Sequence, residues 1–433
     1  MIFQEVRWIR EYSNKIAPNL RKQLFLLYRP TRYSPCFINK FYSSVMQRWR
    51  KIPVIVQLDR NTYSQQCLKA ISQETGCSIQ KDLYLLNAFA TKINVSTLKT
   101  LVENKNVVRI WYDEDLRAIL DIASATVEST AVWEDGITGK DVTIAVIDTG
   151  VHDHPDLSGR IVGFKDFVNN KTQPYDDNGH GTHVAGCAAA SGKQSNSKYR
   201  APAPEANIVG IKVLNKSGSG PLSTVIQGIQ WCVANQAKYK IRIINLSLGS
   251  DSNLSAYDDP VCFAVKKAWD AGLIVCAAAG NTGPDSRTIN SPGTSPKIIT
   301  VGAIDDHISS QNSSYRLADF SSRGPTADNI AKPDVVSPGV NITALRSPGS
   351  LLDKMHKSNR VTADYLTLSG TSMATPICAG IIAQILEAEP TLTPDGVKNL
   401  LKETALRLSG YNENEQGAGI INVKSAIQKL RQQ

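Results

Sequence analysis

The chain has 433 residues, of which 42% are hydrophobic and 20% charged, with a formal net charge of +9. That length exceeds one average domain, and the composition excludes a disordered, collagen-like or disulfide-scaffold chain. No run approaches the roughly 18 consecutive apolar residues of a membrane span.

Charge is unevenly spread. Residues 1–51 hold eleven Lys/Arg against two acids and so carry the whole net excess, together with ten aromatics that include Trp8, Phe41 and Trp49. Leu20, Leu24, Phe25, Leu27 and Tyr28 have the spacing of a short amphipathic helix ended by Pro30. Two readings stay open for this basic extension: packing against the rest of the chain, or contact with nucleic acid or an anionic membrane. The opening MIFQEVRWIREYSNK is interrupted by charges too early for a signal-peptide apolar region, which predicts a cytoplasmic protein. Cys36, Cys67, Cys77, Cys187, Cys232, Cys262, Cys276 and Cys378 show no close pair or metal spacing, in keeping with a reducing compartment.

Residues 52–122 read as a separate unit. IPVIVQL is a strand, Thr62–Gln73 a helix, Cys77–Asn94 a hairpin, Ser96–Glu103 a second helix and Asn106–Tyr112 a closing strand. That βαββαβ order predicts a split βαβ, ferredoxin-like α+β fold.

From residue 123 onward, apolar strands at 142–147, 207–214, 241–248, 273–279 and 297–303 alternate with helical patterns. This predicts a mostly parallel sheet with helices on both faces, an α/β domain over 123–433. The run VTIAVI ends in Asp148, Thr149 and Gly150; a carboxylate there is either a turn former or sits where open α/β sheets place their chemistry. In NGHGTHVAG, Asn178 and Gly179 make a turn and His180 opens a helix, with glycines at 179 and 181 allowing close approach. His183 follows at a spacing that lacks any third metal ligand, and is read as structural. LIVCAAA is another buried strand, and ends at Gly280 and Asn281. Finally GTSMATP, Gly370–Pro376, delivers Ser372 to the start of an apolar, buried helix. A serine there is an ordinary cap, but the free N–H groups and dipole of a helix start also favour a developing oxyanion.

An acid, a histidine and a serine in this chain order, each in a long motif, resemble the three catalytic blocks of the subtilisin-like serine proteases, the subtilase or peptidase S8 family. HVAGCAAASG, KYRAPAPEAN and SPGVNI look most like the intracellular AprX-type subtilases of bacilli. The resemblance covers about residues 124–430 and implies a serine endopeptidase with Ser372 as nucleophile, His180 as general base and Asp148 as its orienting acid. It assigns Asn281 and the Ser372 N–H to the oxyanion hole. It also implies a substrate groove lined by Gly218, Ser219 and Gly220 on one edge and Ser247, Leu248 and Gly249 on the other. Ala278, Ala279 and Gly280 would wall the primary pocket, with Asn290 near its floor.

None of these wall residues is charged, which points away from a narrow kexin-type processing protease. A non-catalytic binding protein shut by its own N-terminal domain is the alternative from another class. The resemblance further implies that 52–122 is an inhibitory propeptide and intramolecular chaperone of an autoprocessed zymogen, joined to the protease within Ala118–Ala125. Protein or peptide substrates would be the partners, and no cofactor would be needed for the chemistry. Asp156 in HPDL matches a family calcium ligand, yet the loop Ser191–Ala201 lacks the expected asparagine pattern. A structural Ca2+ at Asp156 or elsewhere stays open. Leu345–Leu366 forms a longer connection than in the smallest relatives, to be read as a lid or a flexible loop.

Overall fold

A computed structural model describes residues 7–17, 20, 21, 24, 25, 51–60, 62–83, 87–112, 124–250, 255–306 and 315–432. The chain divides into two units, Met1–Leu116 and Arg117–Gln433. The expected helix end at Leu27–Pro30, Phe41, Trp49, Cys36 and the expected join at residues 118–123 lie outside the described residues.

The smaller unit is a four-stranded antiparallel sheet of β1 (Ile52–Leu58), β2 (Lys81–Leu83), β3 (Ala88–Ile93) and β4 (Val107–Tyr112), in the order β2-β3-β1-β4. β1 alternates buried and half-buried residues, the period-2 pattern of a sheet with one covered face. The helix Gln65–Thr75 starts three residues later than the sequence suggests, because the Ser64 side chain caps it through Cys67 N; it stops at Gly76, whose φ of 68° is left-handed. Asn94 caps Val95–Glu103 in the same way. The basic extension is no separate body where it is described. Ile9, Ile16, Leu20 and Leu24 are buried with Val54, Phe89 and Ile110 in one core, and Lys15–Ala17 bonds the outer edge of β4 through Ile110.

The larger unit is built on an eight-stranded sheet of β5 (Thr143–Asp148), β6 (Ile161–Asp166), β7 (Asn207–Lys212), β8 (Ile241–Leu246), β9 (Ile274–Ala278), β10 (Ile299–Asp305), β11 (Arg316–Leu317) and β12 (Val335–Pro338). Its order is β11-β10-β9-β8-β5-β7-β6, with β12 also on β10. Every pairing is parallel except β10 with the short β11. All six residues of β5 are buried, so both faces of the sheet centre are covered, as the continuous apolar run predicts. β5 lies between β7 and β8, where the chain order reverses, and the crevice beyond such a switch point is where α/β sheets bind ligands.

The helix Thr371–Ala388 is the core helix of this unit. Eighteen residues long with a mean hydropathy of 1.2, it would by length and composition suffice to cross a membrane. In the fold, however, 83% of it is buried. β13 (Ile342–Leu345) and β14 (Tyr365–Leu368) form a separate antiparallel hairpin just before it. The seven described cysteines are all unpaired, six of them buried.

Candidate active site

Asp148 ends β5 with its side chain fully buried, and its carbonyl is locked by Val213 N and Leu214 N. This explains why β7 stops at Lys212, short of the expected Leu214: Asp148 is the last residue of its partner β5, and both following N–H groups share that one carbonyl instead of stepping further along the ladder. Oδ1 of Asp148 accepts from Thr149 N at 2.7 Å and from His180 Nδ1 at 2.8 Å.

His180 opens the helix His180–Ala189. Gly179 precedes it at φ 102°, a conformation that favours glycine. A Cβ on Gly181 would lie 2.1 Å from the Gly150 carbonyl, so only glycine lets this helix start come up against the end of β5. The imidazole keeps 24% exposure, enough to meet a substrate. Burial alone would lower its pKa; the charge and hydrogen bond of Asp148, with the charge of Asp176, outweigh this and raise it above the ordinary histidine value.

Asp176 is a residue the sequence reading passed over. Its buried carboxylate accepts five hydrogen bonds: Asn178 N, Gly179 N and Thr149 Oγ1 at Oδ1, and Thr182 N and Thr182 Oγ1 at Oδ2. Thr149 Oγ1 in turn accepts from Gly181 N at 2.9 Å. One carboxylate therefore ties the loop after Asp148 to the turn that launches His180. The signal was present in DDNGH, two acids directly before a turn, but nothing in the spacing said which faced inward. His183 is structural as expected. It is fully buried, Nε2 donates to the Leu366 carbonyl, and burial drives its pKa down to about 3.

Ser372 is the second residue of Thr371–Ala388. Pro376, four residues on, has no N–H to give the Ser372 carbonyl, and Ser247 Oγ supplies that bond at 2.9 Å. The proline of GTSMATP thus frees one carbonyl, which pins the serine to the end of β8. Ser372 Oγ itself donates to the Ser247 carbonyl at 3.2 Å; among the described residues it makes no hydrogen bond to His180. Sites without substrate commonly lack a formed serine–histidine bond.

Asn281 lies just beyond β9. Its Oδ1 accepts from Thr371 N at 2.9 Å and Thr371 Oγ1 at 3.1 Å, so the amide oxygen faces the helix and Nδ2 is left as a donor. Thr371 N is taken by Asn281 and Met373 N by Gly370, which leaves the Ser372 N–H without a partner among the described residues.

His180, Ser372 and Asn281 line one cleft of about 610 Å3. Gly218, Ser219, Gly220, Ser247, Leu248, Gly249, Ala278 and Gly280 line it too, and so do Asn290 and Asn178. Ala279 does not: it is fully buried, with its N–H on Val301 and its carbonyl taken by Asn290 N. Strand alternation explains this, since Ala278 and Ala279 point opposite ways. The two sides of the pocket are cross-linked by paired bonds between Ser250 and Ser291. The Asn290 side chain fills the space between them, 2.7 Å from where a Cβ on Gly280 would stand.

Asp156 does not fit a calcium site. Its buried carboxylate accepts from Gly192 N, Gln194 N and Tyr365 Oη, and all three are donors. A hard cation needs oxygen lone pairs around it, not N–H and O–H groups. Among the described residues no group of three or more His, Cys, Asp or Glu side chains could hold a metal.

Residues 139–419 match the family model described as the subtilase family, Peptidase S8. The chain is 44% identical to serine protease AprX of Bacillus subtilis, over 98% of this chain and 99% of that protein. It is 35% identical to subtilisin amylosacchariticus of Bacillus subtilis subsp. amylosacchariticus, over 83% and 86% of the two chains. Among solved structures it resembles sphericase, with a TM-score of 0.54, 32% identity and coverage of 66% of this chain and 92% of that one. A psychrophilic protease, S41, gives a TM-score of 0.56 at 33% identity, with the same coverages.

Proposed function

The chain belongs to the subtilase family and is a subtilisin-like serine protease, and from that premise we propose that Ser372, His180, Asp148 and Asn281 carry out endopeptidase chemistry in the cleft at the end of β5, β8 and β9. The observation that carries this reading is the 2.8 Å bond from His180 Nδ1 to the buried Asp148, in a cleft that also holds Ser372 and Asn281.

In the proposed reaction Ser372 Oγ attacks a peptide carbonyl while His180 Nε2 takes its proton. The tetrahedral oxyanion is held by Asn281 Nδ2 and the Ser372 N–H. The C–N bond then breaks as the imidazolium returns its proton to the leaving amine, and water repeats the sequence on the acyl-enzyme. Asp148 fixes the tautomer and stabilises the imidazolium. The chemistry needs no cofactor. The uncharged walls favour medium or large neutral P1 residues over Lys or Arg, which argues against a kexin-type specificity.

Residues 52–122 are proposed to be the propeptide and chaperone of a zymogen, cut within Ala118–Ala125, with the protease over 123–433. The split βαβ order of β1–β4 supports this reading. The unpaired cysteines support a reducing compartment such as the cytoplasm. Wild type and Ser372→Ala, purified side by side, test the whole by intact mass and casein hydrolysis. Wild type should be shortened and active, and the variant full length and inert. A wild type that keeps full length and cleaves nothing at neutral or alkaline pH would sink the zymogen reading.

A further inference from the structure

The connection Leu345–Leu366 is neither a lid nor a flexible loop. It is the tip of the β13–β14 hairpin, braced around one carboxylate. Asp353 is buried and accepts from Arg346 Nη2 at 3.0 Å and Gly349 N at 2.9 Å, while Arg360 Nε lies 2.6 Å away. Both guanidiniums thus converge on one acid at the start of the short helix Leu351–Met355. The tip is also fastened to the turn before His180. Ser347 Oγ donates to the Asp176 carbonyl at 2.7 Å, Leu351 N to Asp177 at 2.9 Å and Leu352 N to Asn178 at 2.8 Å. Contact is close enough that a Cβ on Gly179 would stand 2.5 Å from Ser350 Oγ and 3.6 Å from Leu352 Cβ.

The consequence is that Leu352, half-buried, becomes part of the lining of the cleft beside Asn178 and His180. The expected walls of the primary pocket, Ser247–Gly249 with Ala278 and Gly280, line the same cleft. We infer that Leu352 is a specificity-determining residue, an apolar wall on the His180 side of the cleft for an aliphatic or aromatic side chain of a substrate residue flanking the P1 residue. This rests on the protease reading above. The physical case is the fixed placement. Two backbone bonds hold the helix start to the histidine turn, so Leu352 need not be ordered when substrate arrives, and its contact area counts toward binding. The ion cluster of Asp353 supports the position from behind without touching substrate.

The test uses the full chain, wild type and Leu352→Ala, and two series of internally quenched peptides. One varies the residue before P1 and the other the residue after the scissile bond, each through Leu, Phe, Ala and Gly. The ratio of kcat/KM for Leu over Gly should fall about tenfold in the variant in one of the two series, which also identifies the position served. Leu352→Met should keep most of the ratio, and thermal unfolding midpoints should match wild type. Ratios unchanged in both series, with wild type active, would overturn the role of Leu352 alone. A wild type that cleaves no peptide would overturn the protease reading, and this inference with it.

Discussion

Asp176→Asn is the substitution that probes most of the site at once. The carboxylate accepts five hydrogen bonds, and the isosteric amide can keep only the three at one oxygen. At the other position an NH2 would face Thr182 N, two donors with no acceptor between them, while the Thr182 hydroxyl can rotate to accept. One buried N–H is thus left unsatisfied and the bonds that remain lose their charge assistance, which together cost roughly 2–4 kcal/mol. Urea unfolding of the Ser372→Ala background, where self-digestion is excluded, reads that loss. The second readout is a pH–rate profile. A protonated His180 cannot accept the serine proton, so activity appears as pH rises through the His180 pKa. That pKa is raised, so in wild type the acid limb should lie above the ordinary value of about 6.5. Asp176 contributes to the rise, and removing its charge should move the limb toward lower pH. A limb that stays in place or moves upward would refute the charge coupling, and a stability loss below about 0.5 kcal/mol would refute the hydrogen-bond count.

Asn281→Ala should lower kcat by roughly 10²–10³ with little change in KM, the range known for loss of the corresponding asparagine of subtilisin, a relative of this chain. Asn281→Asp keeps the acceptor for Thr371 but removes the donor, so it should lose at least as much activity while holding thermal stability near wild type. Equal activity in the two variants and wild type would remove Asn281 from the oxyanion hole. Asn290→Gly should clear the space between Gly249 and Gly280 and raise kcat/KM for Phe or Tyr at P1 relative to Ala by roughly tenfold. An unchanged ratio would place the pocket floor elsewhere.

Most of the larger unit was legible because its signals are local. A fully buried parallel strand has no polar face, so VTIAVI and LIVCAAA could be read as strands from the run alone. Turn chemistry marked the residues that follow them, and Asp148, Asn281, His180 and Ser372 all sit where a glycine-rich turn meets an element end. The errors are local too. β7 and β8 end two residues earlier than their apolar runs, since β5 ends at Asp148, whose one carbonyl takes both the Val213 and Leu214 N–H groups, and Ser247 turns to Ser372. Ala279 was assigned to the cleft by motif, and strand alternation turned it inward.

What the sequence by itself determined was the set of candidate reacting groups and the α/β frame that holds them, since both follow from residue type and short-range spacing. Only the tertiary structure decided what surrounds them. Asp176 is set between two elements, Asp156 is met by three donors and not by further oxygen ligands, and Leu352 is brought beside His180 from a hairpin tip some 170 residues away in the chain. Those outcomes depend on which polar groups find each other once the chain is closed. Burial demands a partner for every such group, but it leaves the choice of partner to the fold.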